Sequence, residues 1–297
     1  STLYNCCPTD LCTRPSVIMQ VVLITGCSSG LGRELALAAL NAGMRVIATA
    51  RRIDTLSDLA SRGAKVLPLD TTANPRDLAQ FVELAIGQYG QIHCLINNAG
   101  YLQGGALEEI DHEANMAQFH TNFFGVLNLT HALLPHFRSL PPKTCAIVNI
   151  SSQGATLNLA GAGIYCASKA ALDSVTAVWA KELQPWGVRC TAIHLGGFRT
   201  AVGTSANVKT GSRTIEGYDA AHDWMESFSA GAGKEPGDPI LAARKIIDLI
   251  GGDKGREWPH TLALGDDAYQ NDKAFYESSL KKVEDWKEFS KGTDFQT

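Results

Sequence analysis

The sequence predicts an α/β protein, a doubly wound parallel sheet in one domain with a lid insert and a C-terminal helical extension. Two observations predict it. Runs rich in Val, Ile, Leu and Ala alternate with helix-like stretches, and those runs are apolar throughout instead of alternating. Strands of that kind are buried on both faces, as in a parallel sheet covered by helices.

The first run, "QVVLIT" (20–25), is β-branched and ends at Gly26, and "GLGRELALAALNAG" (30–43) then carries apolar residues at helical spacing closed by a glycine. "MRVIATA" (44–50) reads as the second strand, 54–62 as helical and "AKVLPL" (64–69) as the third strand. A helix over 75–89 leads to the strand "HCLIN" (93–97), and a long helix over 112–139 stops before Pro141 and Pro142. "CAIVNI" (145–150) is a strand, 163–185 a helix and "VRCTAI" (188–193) a strand. Residues 196–238 break the alternation. They are rich in Gly, Ser, Thr and Ala, interrupted by Val202, Tyr218, Trp224, Met225 and Phe228, which suits a functional lid or a disordered segment. A helix (238–251) and a last strand, "HTLALG" (260–265), follow, and the single domain, with its insert 196–238, is expected to span 20–265. The extension 266–297 places Tyr269, Phe275, Tyr276, Leu280, Val283, Trp286 and Phe289 at helical spacing, as in a helix packed on the domain or in an oligomer contact.

The 297 residues are 45% hydrophobic and 19% charged, with a formal net charge of −4, which leaves no electrostatic footprint for nucleic acid or an anionic membrane. No apolar run approaches the roughly 18 residues that cross a bilayer. Residues 1–19 are polar and are expected to form a tail, without the basic start and apolar run of a secretory signal. Five of the eight cysteines (Cys27, Cys94, Cys145, Cys166, Cys190) lie in apolar stretches, which suits buried thiols and a cytoplasmic location. Cys6, Cys7 and Cys12 cluster in the tail, but no second Cys/His pair lies at finger spacing, and no metal is expected. Sequons at Asn128 and Asn149 fall in apolar segments and are discounted.

"TGCSSGLG" (25–32) follows the first strand and opens the first helix. Gly26, Gly30 and Gly32 let the backbone turn tightly and approach a pyrophosphate seated on the helix N-terminus. At the end of the second strand, "ATARR" puts Ala50 where an acid would hold a ribose 2′-hydroxyl, followed by Arg51 and Arg52. The missing acid and added positive charge favour NADP(H). "GIYCASKAAL" (163–172) sets Tyr165 and Lys169 four residues apart, on one face of a helix.

Taken together, "TGCSSGLG", "NNAG" (97–100), Asn122 in "HTNFFG", "ISS" (150–152) and "YCASK" (165–169) resemble the short-chain dehydrogenase/reductase family in order and spacing, over about 20–265. The resemblance implies a Rossmann-type fold, an NADP(H) cofactor and a homo-oligomer, dimer or tetramer. It implies that Tyr165 is the general acid or base on the substrate oxygen, that Ser152 hydrogen-bonds that oxygen, and that Lys169 holds the nicotinamide ribose and lowers the Tyr165 pKa. Asn122 would bind a water linking Lys169 to solvent. Ser28, Ser29 and Leu31 of the glycine loop, Asn98, Ala99 and Gly100 of "NNAG", Asp70 and Thr71 after the third strand, and Gly196, Phe198 and Thr200 would complete the cofactor site with Tyr165 and Lys169. Burial alone would raise the Tyr165 pKa, so the lysine charge is expected to win. One departure stands in "HLGGFRT" (194–200): Leu195 occupies the position where the family commonly has proline, and a looser or reshaped pocket floor is expected.

The sequence thus points to a reductase or dehydrogenase interconverting a ketone and a secondary alcohol. The aromatic residues of the insert suggest a bulky, fairly apolar substrate such as a polyketide, terpenoid, steroid or lipid carbonyl. A redox epimerase would use the same residues, and a non-catalytic dinucleotide-binding regulator is the rival from another class.

Overall fold

The structure is a computed structural model that describes residues 20–200, 208–252 and 257–295. Residues 1–19, with Cys6, Cys7 and Cys12, lie outside the described residues, as does Val202 of the insert.

Seven parallel strands form the central sheet: β1 (Val21–Ile24), β2 (Arg45–Ala50), β3 (Lys65–Pro68), β4 (Cys94–Asn97), β6 (Ala146–Ile150), β7 (Arg189–Leu195) and β9 (Thr261–Leu264), in the spatial order β3-β2-β1-β4-β6-β7-β9. β1 is central, with Val22 in register with Val46 of β2 on one side and Cys94 of β4 on the other. The chain winds outward from β1 in both directions, so a crevice opens at the strand C-termini between β1 and β4. All four residues of β1 are completely buried, as a strand covered on both faces requires.

Helices cover the two faces. α1 (Gly30–Asn41) and α9 (Pro239–Gly252) bury Leu35, Ala39, Ile246 and Ile250 against one, with the short α2 (Ser57–Ser61) at its edge. α3 (Pro75–Gly87), α5 (Gly125–Ser139) and α7 (Gly163–Glu182) bury Phe81, Leu129, Leu133, Phe137 and Trp179 against the other. Leu129 and Leu133 are wholly buried one turn apart, and truncating either to alanine costs about 2–5 kcal/mol in such a setting. Buried Asn149 on β6 donates to Thr176 and accepts from Asn97, so its side chain is committed inside the sheet, whereas Asn128 on α5 is half-buried.

Four features depart from the sequence reading. The helix expected over 112–139 is interrupted: α4 (His112–Phe119) passes through a π-helical turn, His120–Phe124, before α5 begins. A three-residue strand, β5 (Leu102–Gly104), was not expected and pairs in parallel with β8 (Val208–Thr210) of the insert. The insert is structured where described, carrying β8 and α8 (Asp219–Ala230). The C-terminal extension forms α10 (Asp266–Asp285) and α11 (Lys287–Ser290), but only the start of α10 packs. Ala268 and Asp272 are buried, whereas Tyr276, Leu280, Val283, Trp286 and Phe289 are exposed. Beyond its first turns α10 has run past the edge of the sheet, so helical spacing there produced an apolar stripe without a core to meet it. A one-turn helix after β6, α6 (Gly154–Leu157), completes the elements.

Candidate active site

A cleft of about 740 Å³ opens at the C-terminal edge of the sheet, between the glycine turn after β1 and the insert helix α8. Gly26 has φ +72°, and a Cβ on it would lie 2.9 Å from the Ala99 Cα, so the turn closes only with glycine there. A Cβ on Gly32 would collide with the Gly26 carbonyl and the Asn98 amide. Ser29 precedes α1 without capping it by side-chain hydrogen bond, and no acidic residue stands in the first turn, which leaves this helix N-terminus to an external anion. A glycine cradle with no space for side chains, facing an uncapped helix end, fits the pyrophosphate of a dinucleotide.

Ser28, Ser29, Gly30, Leu31, Gly32, Ala99 and Gly100 all line this end of the cleft with Gly26. Asn98 lines it too, while its amide donates to the Thr25 and Gly26 carbonyls at 2.9 and 3.2 Å, holding the turn to β4. Arg51, Asp70 and Thr71, beyond the C-termini of β2 and β3, line the cleft on the side of the cradle. Burial works against the Asp70 charge, but hydrogen bonds from Thr72 and the positive charge of Arg51 hold its carboxyl below the usual range. Arg52 does not line the cleft. The chain turns at the end of β2, leaving its side chain exposed and its carbonyl accepting from Thr55.

At the other end Ser152, Tyr165 and Lys169 line the cleft together. Ser152 stands just beyond β6, where its Oγ accepts from the Gly154 amide at 3.0 Å, and Ser151 beside it is buried. Tyr165 and Lys169 are one turn apart on α7. The Lys169 Nζ donates to the Ile150 carbonyl at 2.7 Å and stands 5.7 Å from the centre of the Tyr165 ring. Here an expectation fails, because the lysine charge does not win. Burial raises the Tyr165 pKa to about 12, against the Ser152 hydrogen bond that favours the phenolate. Burial lowers the Lys169 pKa to about 8, although the carboxylate of Asp173, a further turn along α7, opposes that shift. Removing water from both groups disfavours both charges, and the ammonium is spent on a carbonyl instead of the phenol.

Asn122 sits in the π-turn, 1% exposed and behind the cleft wall. Its Oδ1 accepts from the Tyr101 amide at 3.2 Å, and its Nδ2 donates to the Tyr101 carbonyl at 3.0 Å and to Ser168 at 3.3 Å. The site of a Cβ on Gly100 lies 3.1 Å from Asn122 Oδ1 and 3.8 Å from Lys169 Nζ, so both side chains approach one point beneath the cleft.

The insert supplies a roof. Trp224 and Phe228, one turn apart on α8, stack with ring centres 5.1 Å apart, and both line the cleft with Leu157 and Leu159 opposite. Met225 packs onto Gly104, where a Cβ would strike its sulfur. Tyr218 is turned away, donating to Glu108 at 2.6 Å. Buried Glu109 latches the roof down, accepting from the Ile215 amide and pairing with His222, both at 2.7 Å. The Ile215 amide and His222 hold its pKa near 2.

Gly196, Phe198 and Thr200 line the cleft after β7. The Leu195 turn is braced, not loose: the Gly197 amide donates to Asp267 Oδ2 of α10 at 2.6 Å. Deeper in β7, buried His194 bridges Asp173 of α7 at 2.6 Å and Asp272 of α10 at 2.8 Å. Burial opposes a charged imidazole, yet the two carboxylates outweigh it and raise the His194 pKa. The cleft residues Tyr101 and Lys209 were missed by sequence reasoning. The Lys209 ammonium stands 4.5 Å from the Tyr101 ring centre, a contact made only once β8 pairs with β5. Among the described residues no cluster of His, Cys, Asp and Glu could hold a metal ion, and no helix is long and apolar enough to cross a membrane.

A doubly wound sheet with a glycine cradle at its switch point and a Ser–Tyr–Lys set in the same cleft defines a class of oxidoreductases. Residues 20–210 match the short chain dehydrogenase family, and the chain belongs to that family. It is similar to oxidoreductase BOA17 of Botryotinia fuckeliana, 34% identical over 91% of this chain and 98% of that protein. It is also similar to the NADPH-dependent 1-acyldihydroxyacetone phosphate reductase of Schizosaccharomyces pombe, 35% identical over 62% of this chain and 61% of that protein. Among solved structures, a short-chain dehydrogenase from Streptomyces avermitilis superposes with a TM-score of 0.82 at 34% identity, covering 93% of this chain and 98% of that one.

Proposed function

We propose that the protein is an NADP(H)-dependent oxidoreductase that interconverts a ketone and a secondary alcohol on a bulky, fairly apolar small molecule. The observation that carries the reading is the placing of Ser152, Tyr165 and Lys169 around one end of a cleft whose other end is the glycine cradle. The dinucleotide, when bound, supplies or accepts the hydride. Tyr165, whose proton is held up to about pH 12 in the protein alone, is in the right form to give it to a developing alkoxide. Ser152 donates a second hydrogen bond to the same oxygen, an effect worth about 3–4 kcal/mol in comparable sites. Lys169 holds the ribose and, with Asn122, the route by which the phenol regains its proton.

Three observations support the narrower choices. Ala50 offers no carboxylate to a ribose 2′-hydroxyl while Arg51 lines that end of the cleft, which favours NADP(H). The relative named for NADPH and for an acylated ketone fits both cofactor and substrate. The Trp224–Phe228 stack gives the cleft an apolar roof. We also assign the protein to the cytoplasm, on the five free thiols buried among the described residues, and to a homo-oligomer, on the apolar residues exposed along α10 and α11.

The test is NADPH oxidation against a panel of bulky ketones, with NADH as control, for wild type and Tyr165→Phe. Turnover with NADPH, lost by about a thousandfold or more in the variant while NADPH binding persists, is the expected result. Tyr165→Phe turnover within a few-fold of wild type would overturn the role of the phenol.

A further inference from the structure

We infer that Asp267, at the start of the C-terminal helix, is a positioning residue that joins the Gly196–Gly197 turn to the loop carrying Ser152. The inference rests on the proposed oxidoreductase reading for what the two loops hold. Its structural half stands without it.

Both loops face the cleft and lie beyond the named strands, held by a few main-chain hydrogen bonds: the Ser151 amide donates to the Ile193 carbonyl at 2.9 Å, and Phe198 forms an isolated parallel bridge with Gly237. The first leaves β7 at Leu195: the Gly196 amide donates to the Leu264 carbonyl at 3.0 Å, the Gly197 carbonyl accepts from the Gly237 amide at 2.9 Å, and the Gly197 amide between them turns to a side chain. The second leaves β6 at Ile150 and runs through Ser151, Ser152 and Gln153. Asp267 Oδ2 accepts from the Gly197 amide at 2.6 Å and from the Gln153 side-chain amide at 3.3 Å. One carboxylate oxygen therefore ties the residue after Ser152 to the neighbouring turn. The arrangement is built around it: the Gln153 side-chain Oε1 accepts from the Asn271 side-chain amide at 2.7 Å, and the Gln153 main-chain amide donates to the Leu195 carbonyl at 3.0 Å. The fit is also steric, since a Cβ on Gly196 would collide with the Asp267 carboxylate.

The brace has a fixed footing. Asp267 lies in the first turn of α10, where the helix dipole favours its negative charge. Five residues on, Asp272 grips His194 and accepts from Thr156 at 2.9 Å, so α10 cannot roll away from the two loops. A proline after β7 would fix the backbone by its ring. Here Leu195 supplies no ring, and α10 adds a constraint on the Gly197 amide from outside the sheet. Ser152 and the turn then share one reference point, and the distance between the substrate oxygen and the face on which a nicotinamide would lie is set by that point.

The experiment uses the full chain with Asp267→Ala and Asp267→Asn, the latter keeping an oxygen that can accept from Gly197. Hydrogen–deuterium exchange over Leu195–Phe198 is expected to rise about tenfold in Asp267→Ala and to stay near wild type in Asp267→Asn, because one amide loses its acceptor only in the first. In the same variants kcat is expected to fall about tenfold or more in Asp267→Ala, with substrate KM within about twofold and recovery in Asp267→Asn. Unchanged exchange in Asp267→Ala overturns the brace, and raised exchange with unchanged kcat overturns its positioning role. If wild type turns over no ketone while Tyr165→Phe and wild type bind NADPH alike, the oxidoreductase reading fails. The exchange result then still decides whether Asp267 holds the turn.

Discussion

Gly32 and Lys169 mark the two ends of the cleft and fail in different ways. A methyl group on Gly32 would meet a backbone carbonyl and the Asn98 amide that holds the turn, and neither can yield without opening the cradle. Gly32→Ala is therefore expected to weaken NADPH binding by at least about tenfold, read by fluorescence titration; unaltered affinity would show that the turn is not where the pyrophosphate sits. Lys169 fails by titration. Its pKa is lowered to about 8 by burial, so the ammonium is intact at neutral pH and is lost above that value. The rate of ketone reduction is expected to be level through neutrality and to fall from about pH 8 upward, and a profile level to about pH 10 would separate turnover from the lysine charge. The Tyr165–Lys169 pair was legible in the sequence because a spacing of four fixes a helical face. The direction of the tyrosine shift was not, because it depends on how much water the fold removes.

At the scale of elements, the C-terminal helix is legible in sequence as a helix, but the contacts its first turns make are not. His194 joins α7, β7 and α10 through Asp173 of α7 and Asp272 of α10; Lys169 and Tyr165 of α7 and Tyr276 of α10 lie within electrostatic reach of those carboxylates. Its pKa is raised in the folded state, so the charged clamp contributes fully below the unfolded value of about 6.5 and is lost as pH rises through the higher folded value. His194→Gln leaves two carboxylates without their cation and is expected to cost about 3–5 kcal/mol in urea unfolding near neutral pH. The deficit relative to wild type should shrink in alkaline solution, and a deficit constant with pH would show that the clamp works by packing alone. None of this was readable beforehand, since His194 and Asp272 are 78 residues apart and nothing local to either names its partner. The insert was opaque for another reason. In α8 the apolar stripe of Trp224 and Phe228 is diluted by Ala, Ser and acidic residues, and β5 and β8 are only three residues long.

Over the whole molecule, the sheet was legible because burial on both faces makes its strands apolar without interruption, and every strand expected there is present. Alternation of strands with helices then fixes the switch point and hence the position of the cleft. What the pattern cannot express is where an apolar stripe outlasts the core. Leu280 and Val283 are 64% and 68% exposed, and with Tyr276 and Trp286 they leave an apolar face on the far half of α10. Leu280→Glu with Val283→Glu is expected to lower the oligomeric state in sedimentation velocity while the chain stays folded, and an unchanged sedimentation coefficient would remove this face from the oligomer interface.

The π-turn at His120–Phe124 amounts to one residue more than the helical repeat needs. Deleting a single codon there would let α4 and α5 fuse into one regular helix, and local energetics would welcome the repair. The price falls elsewhere, because α4 would rotate by about 100° against α5. That rotation would withdraw Gln118, which receives the Gln103 amide at 2.7 Å and reaches the Tyr101 carbonyl at 3.0 Å, from the strand beneath the roof. Loss of one residue in this helix would thus unseat the wall of the cleft.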